Sequence, residues 1–216
     1  MPLTQKILQI INSLPQGQPF VSSKFLPYGS RANVDQSLVR LVKRGEIARI
    51  ARGIYVRPKH NRLVGNVLPG PLEIAQTLAH ATGSVVQVNG AEAARQLGLS
   101  TQMPTHPVFL TNGHTRHIQL DNLEITLKHV AHRKLVGAGT KAGLAITALW
   151  YLGKAQVNPK TIEIVKKQLS KNEYRSFKNA SGTMPAWLSD TIRRYEDCLS
   201  SRTETRNRPT RKLGLK

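Results

Sequence analysis

The stretch "SRANVDQSLVRLVKRGEIARIARGIYVRPK", Ser30 to Lys59, constrains the fold more than any other part of the chain. Val34, Leu38, Leu41 and Val42 recur at helical spacing, and Gly45 stands where a left-handed residue closes a helix. Ile47 to Ile50 and Ile54 to Val56 then read as two short β-branched strands around "ARG", with Gly53 supplying the positive φ of a tight hairpin. Upstream, Thr4 is the candidate N-cap of a helix whose apolar set is Leu3, Ile7, Ile10, Ile11 and Leu14, ended by "PQGQP". Phe20-Val21 read as a short strand, and Ser22 or Ser23 as the cap of a second short helix, "SKFL", ended by Pro27 and Gly29. Helix, short helix, helix and hairpin is the order of a winged helix-turn-helix.

The rest of the chain reads as a second α+β domain. Pro69-Gly70-Pro71 can continue neither regular structure and marks a boundary. Beyond it, "LEIAQTLAHA" is helical, "SVVQV" is a strand, and "NGAEAARQLGL" is an Asn89-capped helix closed by Gly98. "PVFLTN", "RHIQL" and "LEITLKHV" alternate as an antiparallel meander; "TKAGLAITALWYLGK", "PKTIEIVKKQLS" and "MPAWLSDTIRRYEDCL" follow as helices. The expected organisation is α+β: a winged helix-turn-helix over 1–62, a linker over 63–71, an α+β domain over 72–200 and a flexible basic tail over 201–216. There is no internal repeat.

Charge narrows the function. Lys+Arg number 32 against 12 Asp+Glu, a formal net charge of +20, and an excess of that size calls for a polyanionic partner. No segment approaches the roughly 18 apolar residues of a spanning helix, and the N-terminus lacks the apolar core of a signal peptide. A single cysteine, Cys198, excludes an internal disulfide framework and a Cys-rich zinc module. A soluble, cytoplasmic protein without membrane partner is expected.

The basic residues fall where a reader of duplex DNA needs them. On the third helix, Asn33, Gln36, Ser37, Arg40, Lys43 and Arg44 are expected opposite Val34, Leu38 and Leu41. Asn and Gln match adenine edges and Arg matches guanine, while Ser and Lys hold phosphates. Arg31 stands at the helix N-terminus, where backbone N–H groups favour a phosphate. The hairpin adds Arg49, Arg52 and Arg57, with Lys59 just beyond, and Arg52 at the tip is placed for a minor groove. Arg202, Arg206, Arg208, Arg211 and Lys212 of the tail add phosphate contacts. Between Met1 and Arg62 the acidic residues are Asp35 and Glu46 alone. Duplex DNA suits a presented helix better than A-form RNA, whose deep groove admits none. The rival readings are a solvated cationic helix, a winged helix that holds another protein, and an RNA-binding or ribosome-associated protein.

Other motifs promise less. "VGAGTKAG" lacks the Walker spacing, since Lys141 precedes Gly143 instead of following the second glycine, and reads as a flexible lead-in to a packed helix. His114 with His117 and His129 with His132 are spaced three apart, which on a strand puts them on opposite faces, so no metal site is expected. Glu73, Glu92, Asp121 and Glu124 are scattered, and no nucleophile signature appears, so neither enzyme activity nor a cofactor is expected. Cys198, Trp150, Tyr151, Trp187 and Tyr195 read as core residues of the C-terminal helices.

In its order of parts the chain resembles the AbiEi-type antitoxins of bacterial type IV toxin–antitoxin and abortive-infection systems. The resemblance runs from about Thr4 to Val130 and is carried by Gly53, Tyr55 and Pro58 in "RGIYVRPK", by "NGAEAARQLGL" and by "PVFLTNG". It implies an autoregulator whose winged helix binds inverted repeats in its own promoter. It also implies a second domain that counters a cognate toxin, typically a nucleotidyltransferase, without a durable complex. The basic tail is not part of that pattern.

Overall fold

The computed structural model describes residues 1–61, 65–120 and 123–206. Along the chain run α1 (Leu3–Asn12), β1 (Pro19–Val21), a 3-10 helix (Ser22–Tyr28), α2 (Arg31–Lys43), β2 (Ala48–Ala51), β3 (Ile54–Val56), β4 (Lys59–Asn61) and β5 (Gly65–Val67). Then come α3 (Pro71–Ala81), β6 (Val86–Val88), α4 (Gly90–Gln96), β7 (Val108–Thr111), β8 (Arg116–Leu120), β9 (Leu123–His129) and a 3-10 turn (His132–Leu135). α5 (Lys141–Leu152), α6 (Pro159–Gln168), α7 (Lys171–Asn179), a 3-10 turn (Ala180–Thr183) and α8 (Ala186–Arg206) follow. The fold is mixed α+β.

By backbone proximity the chain divides into two compact units, Met1–Asn89 with Pro104–Gly139, and Gly90–Met103 with the described residues from Thr140 on. These boundaries do not coincide with the linker expected at 63–71. Within that stretch β5 pairs with β4 as an antiparallel ribbon and Pro69 is buried. The Glu73 carboxylate accepts the Gly70 N–H at 3.1 Å, so "PGP" serves as the capped start of α3, with Pro71 where its missing N–H costs nothing. α3 packs against β1.

The first unit has two apolar centres. One gathers Ile7 and Ile11 of α1, Phe20, Phe25, Val34, Leu38, Leu41, Ile47 and Tyr55, with Leu3, Ile10, Leu14 and Val42 partly buried around it. Phe20 meets Phe25 edge-on at 5.7 Å and stacks on Tyr55 at 6.1 Å, which joins the three-stranded sheet β1-β3-β2 to the helices. α1 starts one residue before the expected Thr4 cap, which lies inside the helix, and the 3-10 helix begins at Ser22 without a side-chain cap.

The second centre lies on a four-stranded sheet of order β6-β7-β9-β8. The expected meander is corrected here: β7 pairs with β9 in parallel, Val108 opposite Thr126, and β8 flanks β9 as the outer, antiparallel strand. Burial explains the order. β9 places Ile125 and Leu127 in the core, whereas β8 buries Ile118 alone and its polar residues suit an edge.

The second unit is helical and built on α5, whose residues Ala142 to Leu149 are nearly all buried. α4 approaches it closely: a Cβ added at Gly90 would lie 2.1 Å from Tyr151 Cβ. α7 was not foreseen as a separate helix. Ser170 caps it, donating and accepting with Glu173, and it buries Tyr174 and Phe177. α8 continues through Arg206, so the backbone at Arg202 and Arg206 is helical where a flexible tail was expected. Arg208, Arg211 and Lys212 lie outside the described residues.

Candidate nucleic-acid interface

α2 is delimited by local chemistry. Ser30 Oγ accepts the Asn33 N–H at 3.4 Å, and at the other end Gly45, at φ 75°, donates to Val42 O (3.0 Å) while Glu46 N–H reaches Leu41 O (3.1 Å). The buried stripe is Val34, Ser37, Leu38 and Leu41. That leaves Arg31, Asn33, Gln36, Arg40, Lys43 and Arg44 exposed on the remaining faces of the helix.

Ser37 corrects the expected set. Its side chain is 3% exposed and its Oγ accepts a hydrogen bond from Thr4 Oγ1 at 3.1 Å, so it holds α1 to α2 and faces no ligand. Val39 is the residue that sequence reasoning missed. It is 46% exposed, one helical turn from Gln36 and from Lys43, and is an apolar group on a polar face. The signal was its place outside the Val34–Leu38–Leu41 stripe.

β2 and β3 close through Arg52-Gly53, with Ala51 opposite Ile54 and Gly53 at φ 76°. A bulge between Arg49 and Ala51 twists the strand, and Ser22 N–H donates to Gly53 O at 3.0 Å, which pins the tip to the end of β1. Arg52 is exposed at that tip and Arg49 is exposed on β2. Burial raises the pKa of Tyr55, while the nearby charge of Arg49 opposes the shift, Asp35 adds to it and Arg31 opposes it. The start of α2 and strand β2 therefore present their charges around one tyrosine. Arg31 also meets Asp35 Oδ2 at 3.4 Å.

The structure separates two expected members from this group. Arg57 is half-buried and donates to Asn12 O at 3.2 Å, so part of its guanidinium satisfies the C-terminal end of α1. Lys59 lines a cleft of about 620 Å³ with residues 15–19, Glu73, Gln76, Thr77 and His80. It belongs with α3 more than with α2.

The remaining motifs fall elsewhere. His117 Nδ1 lies 2.8 Å from Glu124 Oε1, and His129 Nδ1 lies 2.8 Å from Gly113 O, where the ring nitrogen donates. Among the described residues no group of three His, Cys, Asp or Glu could hold a metal ion, and no helix is long and apolar enough to cross a membrane. Asp121 lies outside them. Thr140 Oγ1 accepts the Gly143 N–H at 3.0 Å, so "GTKAG" is the cap of α5. Cys198 and Tyr151 are exposed where core positions were expected; Trp150 and Trp187 are half-buried and Tyr195 is buried.

Residues 6–177 match the family of unknown function DUF6088, and the chain belongs to that family. No curated protein matches the chain. Among solved structures it is similar to the RV2827C protein from Mycobacterium tuberculosis, at 11% identity, a TM-score of 0.37, and coverage of 86% of this chain and 78% of that one. At that distance the likeness transfers neither fold nor function.

Proposed function

We propose that α1 through β3 form a winged helix-turn-helix that binds duplex DNA in a sequence-specific way. The observation that carries the reading is the exposed face of α2 beside a tight hairpin tipped by Arg52, with Arg40, Lys43, Arg44 and Arg52 free of carboxylate partners among the described residues. In this reading α2 enters the major groove. Arg40 takes guanine O6 and N7, Asn33 and Gln36 take adenine edges, and Val39 meets a thymine methyl. Arg31, Lys43 and Arg44 hold phosphates, and Arg52 reaches the flanking minor groove. Ser37 has no part in it.

The resemblance to AbiEi-type antitoxins supports the wider role: repression of the chain's own operon through inverted repeats, and neutralisation of a cognate toxin, a nucleotidyltransferase, by the rest of the chain. Binding to the DNA directly upstream of the chain's own reading frame tests the first part. With about 6 phosphates neutralised, log K should fall against log salt with a slope near −5. A slope near zero, or equal affinity for a scrambled duplex at moderate salt, would refute DNA reading. For the second part, the double variant Arg40→Ala/Arg52→Ala should lose repression in a promoter reporter yet still protect growing cells from the neighbouring toxin. Loss of protection by a folded, abundant variant would end the division of labour.

A further inference from the structure

β2 is an edge strand of the three-stranded sheet, and β8 is an edge strand of the four-stranded sheet. Within the first unit the two lie next to each other without forming a common ladder. The strand beside the hairpin is itself basic. Arg116 and His117 of β8 are exposed, and so is Lys128 of β9, one residue beyond the Leu127 that faces Arg116. Arg116 also lines a pocket of about 270 Å³ with His114, Ser84 and Thr82 at the end of α3. From His114 through Lys134 the carboxylate among the described residues is Glu124, and it is held by His117.

Charges on an edge strand have a structural use, because they discourage pairing with another chain. That use calls for a charge on β8, and it does not call for β8 to stand next to β2. Here β8 lies next to β2, the strand that carries Arg49 and leads into the Arg52 tip of the proposed reader. Arg116 at the start of β8 and Lys128 near the end of β9 stand on opposite faces at the same end of the strand pair, so a sugar–phosphate backbone passing that end is within reach of both long side chains. A flat strand edge offers no helix to a groove, so the contacts available to it are with phosphates.

We infer that the duplex footprint extends from the β2–β3 hairpin onto the β8–β9 pair, where Arg116 of β8 and Lys128 of β9 neutralise backbone phosphates flanking the sequence that α2 reads. This rests on the DNA-binding reading above. The extension adds affinity and salt dependence and leaves base discrimination to α2. Arginine and lysine are interchangeable in such a role, since the contact is with charge.

The test measures salt-dependent binding of the full chain to the labelled upstream duplex and to a scrambled duplex of equal length, with hydroxyl-radical footprinting of the complex. Arg116→Ala/Lys128→Ala should make the log–log salt slope shallower by about 2 on both duplexes, keep the ratio of the two affinities, and shorten protection on one flank. The charge-retaining Arg116→Lys/Lys128→Arg should keep the slope and the footprint, and the alanine variant should keep the wild-type melting temperature and oligomeric state, which a loss of folding or of edge protection would change. A wild-type chain that binds the upstream duplex, with an alanine double variant that shows the same slope and footprint, overturns the extension and leaves the α2 reading standing. A collapse of the affinity ratio in the alanine variant also overturns it, because β8 would then be reading bases. A wild-type chain without duplex affinity overturns both.

Discussion

The two compact units carry basic side chains in different company. In the second, Lys166 and Lys178 converge on Glu196 at 3.6 and 3.2 Å, Lys167 meets Glu163 at 3.0 Å, Arg193 meets Asp190 at 3.0 Å and Arg95 meets Glu92 at 2.6 Å. Lys166 and Lys178 also lie over the ring of Tyr174, at 5.0 and 5.4 Å. In the first unit the exposed cations of α2 and the hairpin make one ion pair among the described residues, Arg31 with Asp35, while exposed Glu46 between α2 and β2 makes none. A paired lysine has most of its field cancelled and its donors in use, so a phosphate must displace a carboxylate to reach it. The formal charge of +20 therefore overstates the surface open to a polyanion. What counts is where the charge is left uncompensated.

The comparison can be broken first through the cores. Leu38 is fully buried beneath the exposed face of α2, so Leu38→Ala should cost about 2–5 kcal/mol by urea denaturation and reduce duplex binding with it. In the second unit, Gly90→Ala puts a methyl against Tyr151 Cβ and should cost about 1–3 kcal/mol by the same measurement. Duplex affinity should survive this change. If it fell as far as in Leu38→Ala, the second unit would share the interface.

Arg40→Ala sharpens the contrast from the other side. Discrimination at one G·C pair should drop by about 1–3 kcal/mol in a competition assay, while the unfolding midpoint stays put. Equal losses on every base-pair variant would demote Arg40 to a phosphate contact.

Glu196 supplies a smaller, pH-dependent effect. Burial alone would raise its pKa, but hydrogen bonds from Tyr174 and Lys178, with Lys166 and Lys178 nearby, bring it below the ordinary 4.5. A carboxylate lowered on folding stabilises the protein above its unfolded pKa, and that contribution disappears as pH falls below 4.5 and through the folded value. Glu196→Gln should lower stability near neutrality by about 1 kcal/mol or less, and the difference from wild type should shrink toward pH 3 in thermal melts. A constant difference across that range would mean the carboxylate acts through packing. Least of all, Lys167→Ala removes an exposed pair and should change stability by roughly 0.5 kcal/mol at most, without altering the salt slope of duplex binding. A shallower slope would show that pairing does not withdraw a lysine from the polyanion.

Much of α2 and its hairpin was legible because their signals are short-range. Gly45 and Gly53 take backbone angles that other residues avoid, and the apolar stripe repeats within a turn. Ser37 was misread although its position was plain: 34, 37, 38 and 41 form one helical stripe, and a hydroxyl in it looks polar until Thr4 is seen to satisfy it. α7 was hidden by its composition, since Tyr174 and Phe177 are its sole buried side chains among polar neighbours. Val39, apolar yet exposed, could have been picked out by the same wheel that misplaced Ser37.

The sequence by itself determined the glycine-closed end of α2, the Gly53 hairpin and the helical stripes, because each depends on groups a few residues apart, and composition alone set the excess of positive charge. Tertiary structure decided which strand lies inside and which outside. β7, β8 and β9 are adjacent in sequence, yet β9 sits between the other two because its longer ladder and its buried Ile125 and Leu127 gain most from neighbours on both sides. That choice leaves the polar strand β8 at the edge, beside β2. It also leaves Arg49 and Arg116, far apart along the chain, on neighbouring edge strands.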